Sequence, residues 1–495
     1  MEHSKFKSNF YSGVFYTSIS RYFNIFVNIF ITAILARLLS PFEFGVVAVV
    51  TVFTTFFQML SQLGVGPAVI QNKTLTKKDI SNIFKFMIIV AILLGITFFL
   101  FSYVIAEFYD NSVYIVIGQM LTLSIFFNTI NTIPRSLMAK QKKFKTIGFI
   151  TVGASLASGI IAIILAYMGF SYYSIIIKSI VLALLTFILS FKFSKLAIMP
   201  GFDLNGIKKI RSYSSYQFLF NFINYFSRNL DNILIGKFIS PSALGYYDKA
   251  YKLMMYPVQN LTHVITPVLH PLLSDFQDNK NKIYSVYKKI TKFLAMLGVP
   301  ICVVLYFYAS EIILVIYGSQ WLPIVPTFKI LAITILIQII LSSTGSIFQA
   351  AGRTDMLFLS GLLSALFMVI GISIGVYLGE LQFVAIGILL AMSINFIQAF
   401  YLLISRVLKE RLVDFFLNFK IPLYISFILI ASNILLLYYL SFDNYLYKLI
   451  VGLIINFMIW LICIFIFKEN EFMKINSLIR RLKMIIKKRK ISDNV

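Results

Sequence analysis

The sequence predicts an all-α polytopic membrane protein of about fourteen transmembrane helices, with two six-helix lobes related by a parallel internal repeat and two extra C-terminal helices. Three observations predict it. Of the 495 residues, 59% are hydrophobic and 13% charged, where a soluble domain carries about a quarter charged. Apolar runs long enough to cross a hydrocarbon core recur from end to end. A twelve-residue signature reappears after a shift of 200 positions. This composition excludes a soluble enzyme, a nucleic-acid binder and a secreted disulfide scaffold.

The spans follow in order. Apolar stretches separated by polar breaks fall at 12–37, 43–69, 80–106, 112–138, 146–168, 171–192, 213–238, 243–268, 284–309, 323–350, 355–379, 382–405, 421–441 and 446–467. Most of the 44 Lys and Arg residues sit in every second connection. They are Lys5 and Lys7; Lys73, Lys77 and Lys78; Lys140, Lys142, Lys143 and Lys145; and Lys192, Lys195, Lys208, Lys209 and Arg211. The later groups are Lys280 to Lys292, Arg353, Arg406 to Lys420, and the tail after Phe467. The positive-inside rule then places both termini in the cytoplasm with an even number of spans. It also accounts for the net charge of +25 without nucleic acid. The tail 471–490 alternates Ile and Leu with Arg and Lys at helical spacing and reads as a basic amphipathic helix anchoring topology on the inner leaflet. Cys302 and Cys463 lie in apolar segments and form neither a metal spacing nor a disulfide framework. Met1 to Gly13 has no cleavable signal pattern, so the first helix is expected to stay. The outer connections are short, and no nucleotide-binding, zinc-hydrolase or nucleophile-elbow motif occurs, so the chain is not expected to be an enzyme.

The repeat sets the domain reading. Ile34–Gly45 (ILARLLSPFEFG) matches Leu234–Gly245 (LIGKFISPSALG), and Pro67 falls on Pro267 in the same register. Each copy is a cationic helix end, a Ser-Pro break and a Gly where the next helix starts. Six spans separate the copies, so both have the same orientation. The expected boundaries are 1–200 for the N-lobe, 201–420 for the C-lobe, 421–467 for spans thirteen and fourteen, and 468–495 for the tail. Such parallel repeats suit a transporter working by alternating access. Spans thirteen and fourteen hold almost no polar residue at mid-depth and are expected to face lipid.

Polar stripes place a candidate site. In span one Thr17, Arg21, Asn24 and Asn28 share one helix face, and in span seven Gln217, Asn221, Asn224 and Arg228 repeat that spacing at the same offset. Asp231 and Asn232 extend the second stripe. Span two adds Thr51, Thr55, Gln58 and Gln62, and span four adds Ser124, Asn128, Asn131 and Arg135. Span eight adds Lys249, Lys252, Tyr256, Gln259 and His263; span ten adds Thr334, Gln338, Ser342 and Gln349. Polar groups are costly in hydrocarbon, so these faces meet each other or water. The candidate site is a cationic cavity formed by Arg21, Asn24, Asn28, Arg228, Asn224, Lys249, Lys252, Arg135, Gln58 and Gln62, suited to phosphate or acidic sugars. Asp231 is the candidate ion-coupling carboxylate. An intrahelical pair with Arg228 is an alternative role for it.

The segments ARLLSPFEFGVVAVVTVF with LGVGPAVIQ, within 34–71, and SRNLDNILIGKFISPSALGYYDKAYKLMMYP, at 227–257, resemble the polysaccharide-transporter family of the multidrug/oligosaccharidyl-lipid/polysaccharide (MOP) superfamily. The resemblance covers essentially the whole chain and points to the lipopolysaccharide and exopolysaccharide flippase branch. It implies a fourteen-helix protein of the bacterial inner membrane that moves undecaprenyl-pyrophosphate-linked oligosaccharide repeat units to the periplasmic leaflet. The partners implied are the lipid-linked oligosaccharide, membrane lipids and, as an open question, a glycan polymerase of the same pathway. No cofactor is expected, and coupling to H⁺ or Na⁺ stays open. The alternatives are a multidrug exporter of the same superfamily, a peptidoglycan-precursor flippase, and a membrane-embedded glycan polymerase or ligase.

Overall fold

A computed structural model describes residues 2–62, 65–203, 205–208, 225, 229–440 and 443–467, with backbone alone for 2–16, 62, 205, 208, 263–268 and 271–272. Among the described residues the secondary structure is helical, with no strand. Twelve helices are long and apolar enough to cross a membrane, which makes this a multi-pass membrane protein. The expected count of fourteen is not reached. Most of span seven lies outside the described residues, and helix Pro241–Ser274, which carries Asp248, Lys249 and Lys252 in its first turns, is not among the twelve. The basic tail 471–490 also lies outside the described residues.

Contacts divide the chain into two compact units. The first comprises Met1–Lys249 with Ile316–Pro323 and Val376–Leu381. Its helices are α1 (Glu2–Leu38), α2 (Pro41–Gln62), α3 (Val65–Gln71), α4 (Lys77–Phe108), α5 (Val113–Lys140), α6 (Phe144–Tyr167), α7 (Tyr173–Ser194), α8 (Asn205–Lys208), α9 (229–238) and the start of α10 (Pro241–Ser274).

The two Ser-Pro breaks are two helix starts built alike. Pro41 and Pro241 each open a helix, where a missing N–H costs nothing. Ser40 N donates to Glu43 Oε2 at 2.6 Å while Glu43 N donates to Ser40 Oγ at 3.3 Å, a reciprocal cap. Ala243 N donates likewise to Ser240 Oγ at 3.0 Å. Four residues into each helix the repeat places Gly45 and Gly245, and there α2 and α10 cross backbone to backbone. A Cβ on Gly45 would overlap the Pro241 carbonyl, and one on Gly245 would overlap the Pro41 carbonyl. The crossing is nearly symmetric. A Cβ on either would also come within 3.0–3.1 Å of the other's amide nitrogen. Only glycine fits both places.

Next to this crossing, the C-terminal end of α1 is capped by a short 3₁₀ turn, Ser319–Ile324. The Trp321 indole donates to the Ala36 carbonyl at 2.7 Å, and Gln320 donates to the Ala36 and Leu39 carbonyls, satisfying groups a helix end leaves open. Deeper in the unit, α3, α4 and α5 pack Val65, Val69, Ile83, Met87, Ile130 and Ile133 into a common core.

The second unit comprises Ala250–Val315, Ile324–Gly375 and Gln382–Val495. It contains the rest of α10, α11 (Lys280–Phe307), most of α12 (Ala309–Ile316), α13 (Val325–Leu341), α14 (Thr344–Ala350), most of α15 (Thr354–Tyr377), α16 (Leu381–Phe400), α17 (Leu412–Phe416), α18 (Lys420–Tyr439) and α19 (Tyr445–Ile466). A ring cluster of Tyr287, Phe400 and Phe415, with centroids 4.8–6.3 Å apart, centres one core. The last two spans, α18 and α19, leave most of their apolar side chains exposed, in line with the lipid-facing expectation, and each buries one Asn at their contact. Asn433 and Asn456 are buried and exchange side-chain hydrogen bonds at 2.8 and 3.0 Å, and Tyr308 OH donates to Asn433 Oδ1 at 2.8 Å. One Asn per helix was enough to fasten the pair to the end of α11, because an unpaired amide in hydrocarbon is costly. Lys448 adds an ion pair to the buried Glu311 at 2.6 Å.

Candidate functional site

The first unit holds a polar cavity of about 450 Å³. Its walls are the last turns of α2 (Gln58, Ser61), the short α3 (Gly66, Pro67, Ile70) and one face of α5 (Asn128, Asn131, Thr132, Arg135, Ser136). The spacing of 128, 131, 132 and 135 explains why α5 presents these groups together. The far end of α3 is tied to α5. Lys140 donates to the carbonyls of Val69 and Asn72 at 2.9 and 2.7 Å, closing the C-terminal end of α3. Gly66 lets α3 lie against α5, for a Cβ there would come 2.9 Å from Ser136 Oγ.

The wall carries one cation and no carboxylate. Arg135 is exposed to the cavity and makes no ion pair among the described residues. Several hydroxyls and amides are satisfied within their own helices: Ser61 Oγ donates to the Gln58 carbonyl at 2.6 Å, and Asn128 Nδ2 to the Ser124 carbonyl at 2.9 Å. Asn131 differs. It is 6% exposed, and its Oδ1 has no hydrogen-bond partner among the described residues.

Of the residues expected to form the site, Gln58 and Arg135 therefore meet in one cavity. Arg21 is exposed on α1, one turn from Asn24 and two from Asn28; Asn28 Nδ2 donates to the Asn24 carbonyl at 2.8 Å, and Asn24 Oδ1 is buried without a partner. Lys249 is buried, with Nζ 4.0 Å from the Phe44 ring centroid and 3.4 Å from Asp248 Oδ2. Asp231 is also buried. It accepts from Tyr247 OH at 2.6 Å and from the Asn232 amide at 2.8 Å. Lys252 is exposed on α10. Asn224 and Arg228, and the side chain of Gln62, lie outside the described residues. The stripes did not disclose Ser61, Gly66 and Pro67 of α3, Thr132 and Ser136. Pro67, already marked by its match to Pro267, was the one signal that pointed there. Among the described residues no cluster of His, Cys, Asp or Glu could hold a metal ion.

The model of the polysaccharide biosynthesis protein family matches residues 34–326, more than half of the chain, including both Ser-Pro signatures and the whole cavity wall. The chain belongs to this family. Relatives run nearly end to end. The teichuronic acid biosynthesis protein TuaB of Bacillus subtilis is 28% identical over 84% of this chain and 86% of its own length. The lipopolysaccharide biosynthesis protein WzxC of Escherichia coli is 23% identical over 84% and 85%. Among solved structures, the lipid II flippase MurJ in an inward closed conformation superposes with a TM-score of 0.72 at 16% identity, covering 92% of this chain and 99% of that one. An inward-facing MATE multidrug resistance transporter of the MOP superfamily gives 0.63 at 14% identity, over 78% and 95%. At such identities the structural likeness is one of fold. The polysaccharide family member described here thus has the MOP-superfamily transporter fold.

Proposed function

We propose that this protein is a flippase moving undecaprenyl-pyrophosphate-linked oligosaccharide repeat units from the cytoplasmic to the periplasmic leaflet of the bacterial inner membrane, for lipopolysaccharide, capsule or exopolysaccharide synthesis. Both termini face the cytoplasm, and two repeat-related lobes, 1–200 and 201–420, work by alternating access. The observation that carries the reading is the polar cavity whose lining holds Arg135 and no carboxylate among the described residues, in a chain of the polysaccharide biosynthesis family. A cavity for organic cations would need carboxylates in that wall. The relatives' names, teichuronic acid, lipopolysaccharide and succinoglycan biosynthesis, together with the lipid II flippase fold, support a lipid-linked glycan as cargo.

In this scheme Arg21 and Arg228, on repeat-related helix faces, hold the diphosphate, since guanidinium offers paired donors to phosphate oxygens. Asn24, Asn28, Asn224, Gln58 and Gln62 meet glycan hydroxyls, and Lys249 and Lys252 raise the local potential. Asp231, held by Tyr247, is the candidate carboxylate for H⁺ or Na⁺ coupling. No enzymatic step is assigned.

The test is flipping in proteoliposomes, read as protection of a fluorescent undecaprenyl-diphosphate oligosaccharide from an external glycosidase. Wild type should exchange the label across the bilayer, and a variant with both Arg21→Ala and Arg228→Ala should not. No exchange by correctly folded wild type, or full exchange by the double variant, rejects the corresponding claim. An imposed pH or Na⁺ gradient should accelerate wild type but leave Asp231→Asn unresponsive.

A further inference from the structure

The cavity formed by α2, α3 and α5 has a chemistry narrower than "polar". It offers one guanidinium without a carboxylate, several hydroxyls, and one buried amide oxygen with nothing to accept from. A buried acceptor left without a donor costs about 1–3 kcal/mol, and no donor for Asn131 Oδ1 stands among the described residues. Arg135 has only donors and calls for an oxyanion. Bare phosphate or pyrophosphate could answer Arg135 but brings few donors for Asn131. A neutral sugar could answer Asn131 but leaves Arg135 unmatched. A sugar ring that carries an acid group answers both at once.

The spacing agrees. Asn131 and Arg135 stand one turn apart on α5, about 6 Å along its axis, a separation that one pyranose ring bridges between an acid group on C6 and a hydroxyl across the ring. Gln58 and Ser61 on α2 face the same space, and Gly66, Pro67 and Ile70 of α3 close one side. A volume of about 450 Å³ lies at the low end of ligand pockets. It admits one or two sugar rings and not a whole repeat unit.

We infer that this cavity is a subsite for a single acidic sugar of the translocated glycan, with the sugar's carboxylate or phosphate on Arg135 and a ring hydroxyl donating to Asn131. The subsite rests on the transport reading above but is separate from the diphosphate contacts of Arg21 and Arg228. Arg135 is then a specificity residue: it selects repeat units that carry an acidic sugar.

Binding to the detergent-solubilised full chain, followed by ligand-observed NMR and thermal unfolding, tests it with five probes: glucuronate, glucose 6-phosphate, glucose, inorganic phosphate and pyrophosphate. At least one sugar acid should bind saturably, at least tenfold more tightly than glucose, phosphate or pyrophosphate. Which of the two wins tells a carboxylate source from a phosphate source. Arg135→Gln should bring the sugar acid down to the affinity of glucose, and Asn131→Leu should weaken acidic and neutral sugars alike. Arg135→Lys retains the charge and serves if Arg135→Gln does not fold; it should keep a preference for the acid with reduced affinity. The inference is overturned if neither sugar acid binds saturably, if glucose binds as well as they do, if pyrophosphate binds more tightly than both, or if Arg135→Gln changes nothing. The flipping assay decides the broader reading independently. A wild type that binds glucuronate yet does not flip refutes transport and spares the subsite; one that flips but ignores both sugar acids does the reverse.

Discussion

Two groups of buried asparagines in this protein are alike in residue type and opposite in condition. In the second unit Asn433 and Asn456 give and accept hydrogen bonds with each other and with Tyr308, so the polar atoms of the trio are closed on themselves. In the first unit Asn131 is buried too, but among the described residues its oxygen is unpaired and the neighbouring Arg135 has no carboxylate. Both arrangements bear the cost of taking polar groups out of water. The closed one recovers it within the chain by fastening α18 and α19. The open one recovers it only when something else arrives. In a membrane protein, satisfaction separates a fastening from a site better than polarity does.

The contrast predicts which substitutions separate transport from stability. The largest effect is expected at the open site. Arg135→Ala should lower flipping at least tenfold while the yield and thermal midpoint of purified protein stay at the wild-type level. A fallen midpoint would place Arg135 with the fastenings and dissolve the distinction. Next comes the closed trio. Asn433→Leu alone should cost about 1 kcal/mol, seen as a lower unfolding midpoint with flipping retained, because it strands Asn456 and Tyr308. Adding Asn456→Leu and Tyr308→Phe should recover most of the loss, since removing every partner leaves nothing unpaired. A triple variant as unstable as the single one would show that packing, and not hydrogen bonding, holds these helices. The smallest effect on stability is expected for Asn131→Leu. It removes an unpaired oxygen, so the midpoint should hold or rise by a few tenths of a kcal/mol, while flipping of an acidic repeat unit falls severalfold. Destabilisation comparable to Asn433→Leu would mean that Asn131 has a partner within the chain.

Much of this was legible in the chain's pattern, and the gaps have physical causes. Hydropathy marks a helical membrane protein because a spanning segment must satisfy its backbone internally. The spacing of Asn128, Asn131 and Arg135 put those side chains on one face before any coordinates. What the pattern could not separate was open from closed polar groups, since closure depends on partners far along the chain. Lys249 reads as a lumen cation, yet it is buried against Phe44, some two hundred positions away. Asp231 suggested pairing with Arg228, which lies outside the described residues, and nothing in its spacing pointed to Tyr247, which donates to it from across the Ser-Pro break. Asn433 and Asn456 were too few to register as stripes, although a single matched pair suffices to dock a helix. The span count is twelve among the described residues because most of span seven lies outside them and α10, with Lys249, Lys252, Gln259 and Asn260 along it, has membrane length without the hydropathy.

The crossing at Gly45 and Gly245 bears on how this chain came to have two halves. Where each helix lies on the other's first carbonyl, there is no side chain to vary, and a gain of one methyl on either side meets backbone. Any drift at one position is blocked by the other. If one ancestral half once met an identical copy of itself, this is where its glycine would have faced its own symmetry mate, as in an isologous dimer. Within the two Ser-Pro-x-x-x-Gly strings, readable at an offset of 200, the glycines are the positions whose geometry allows no other residue.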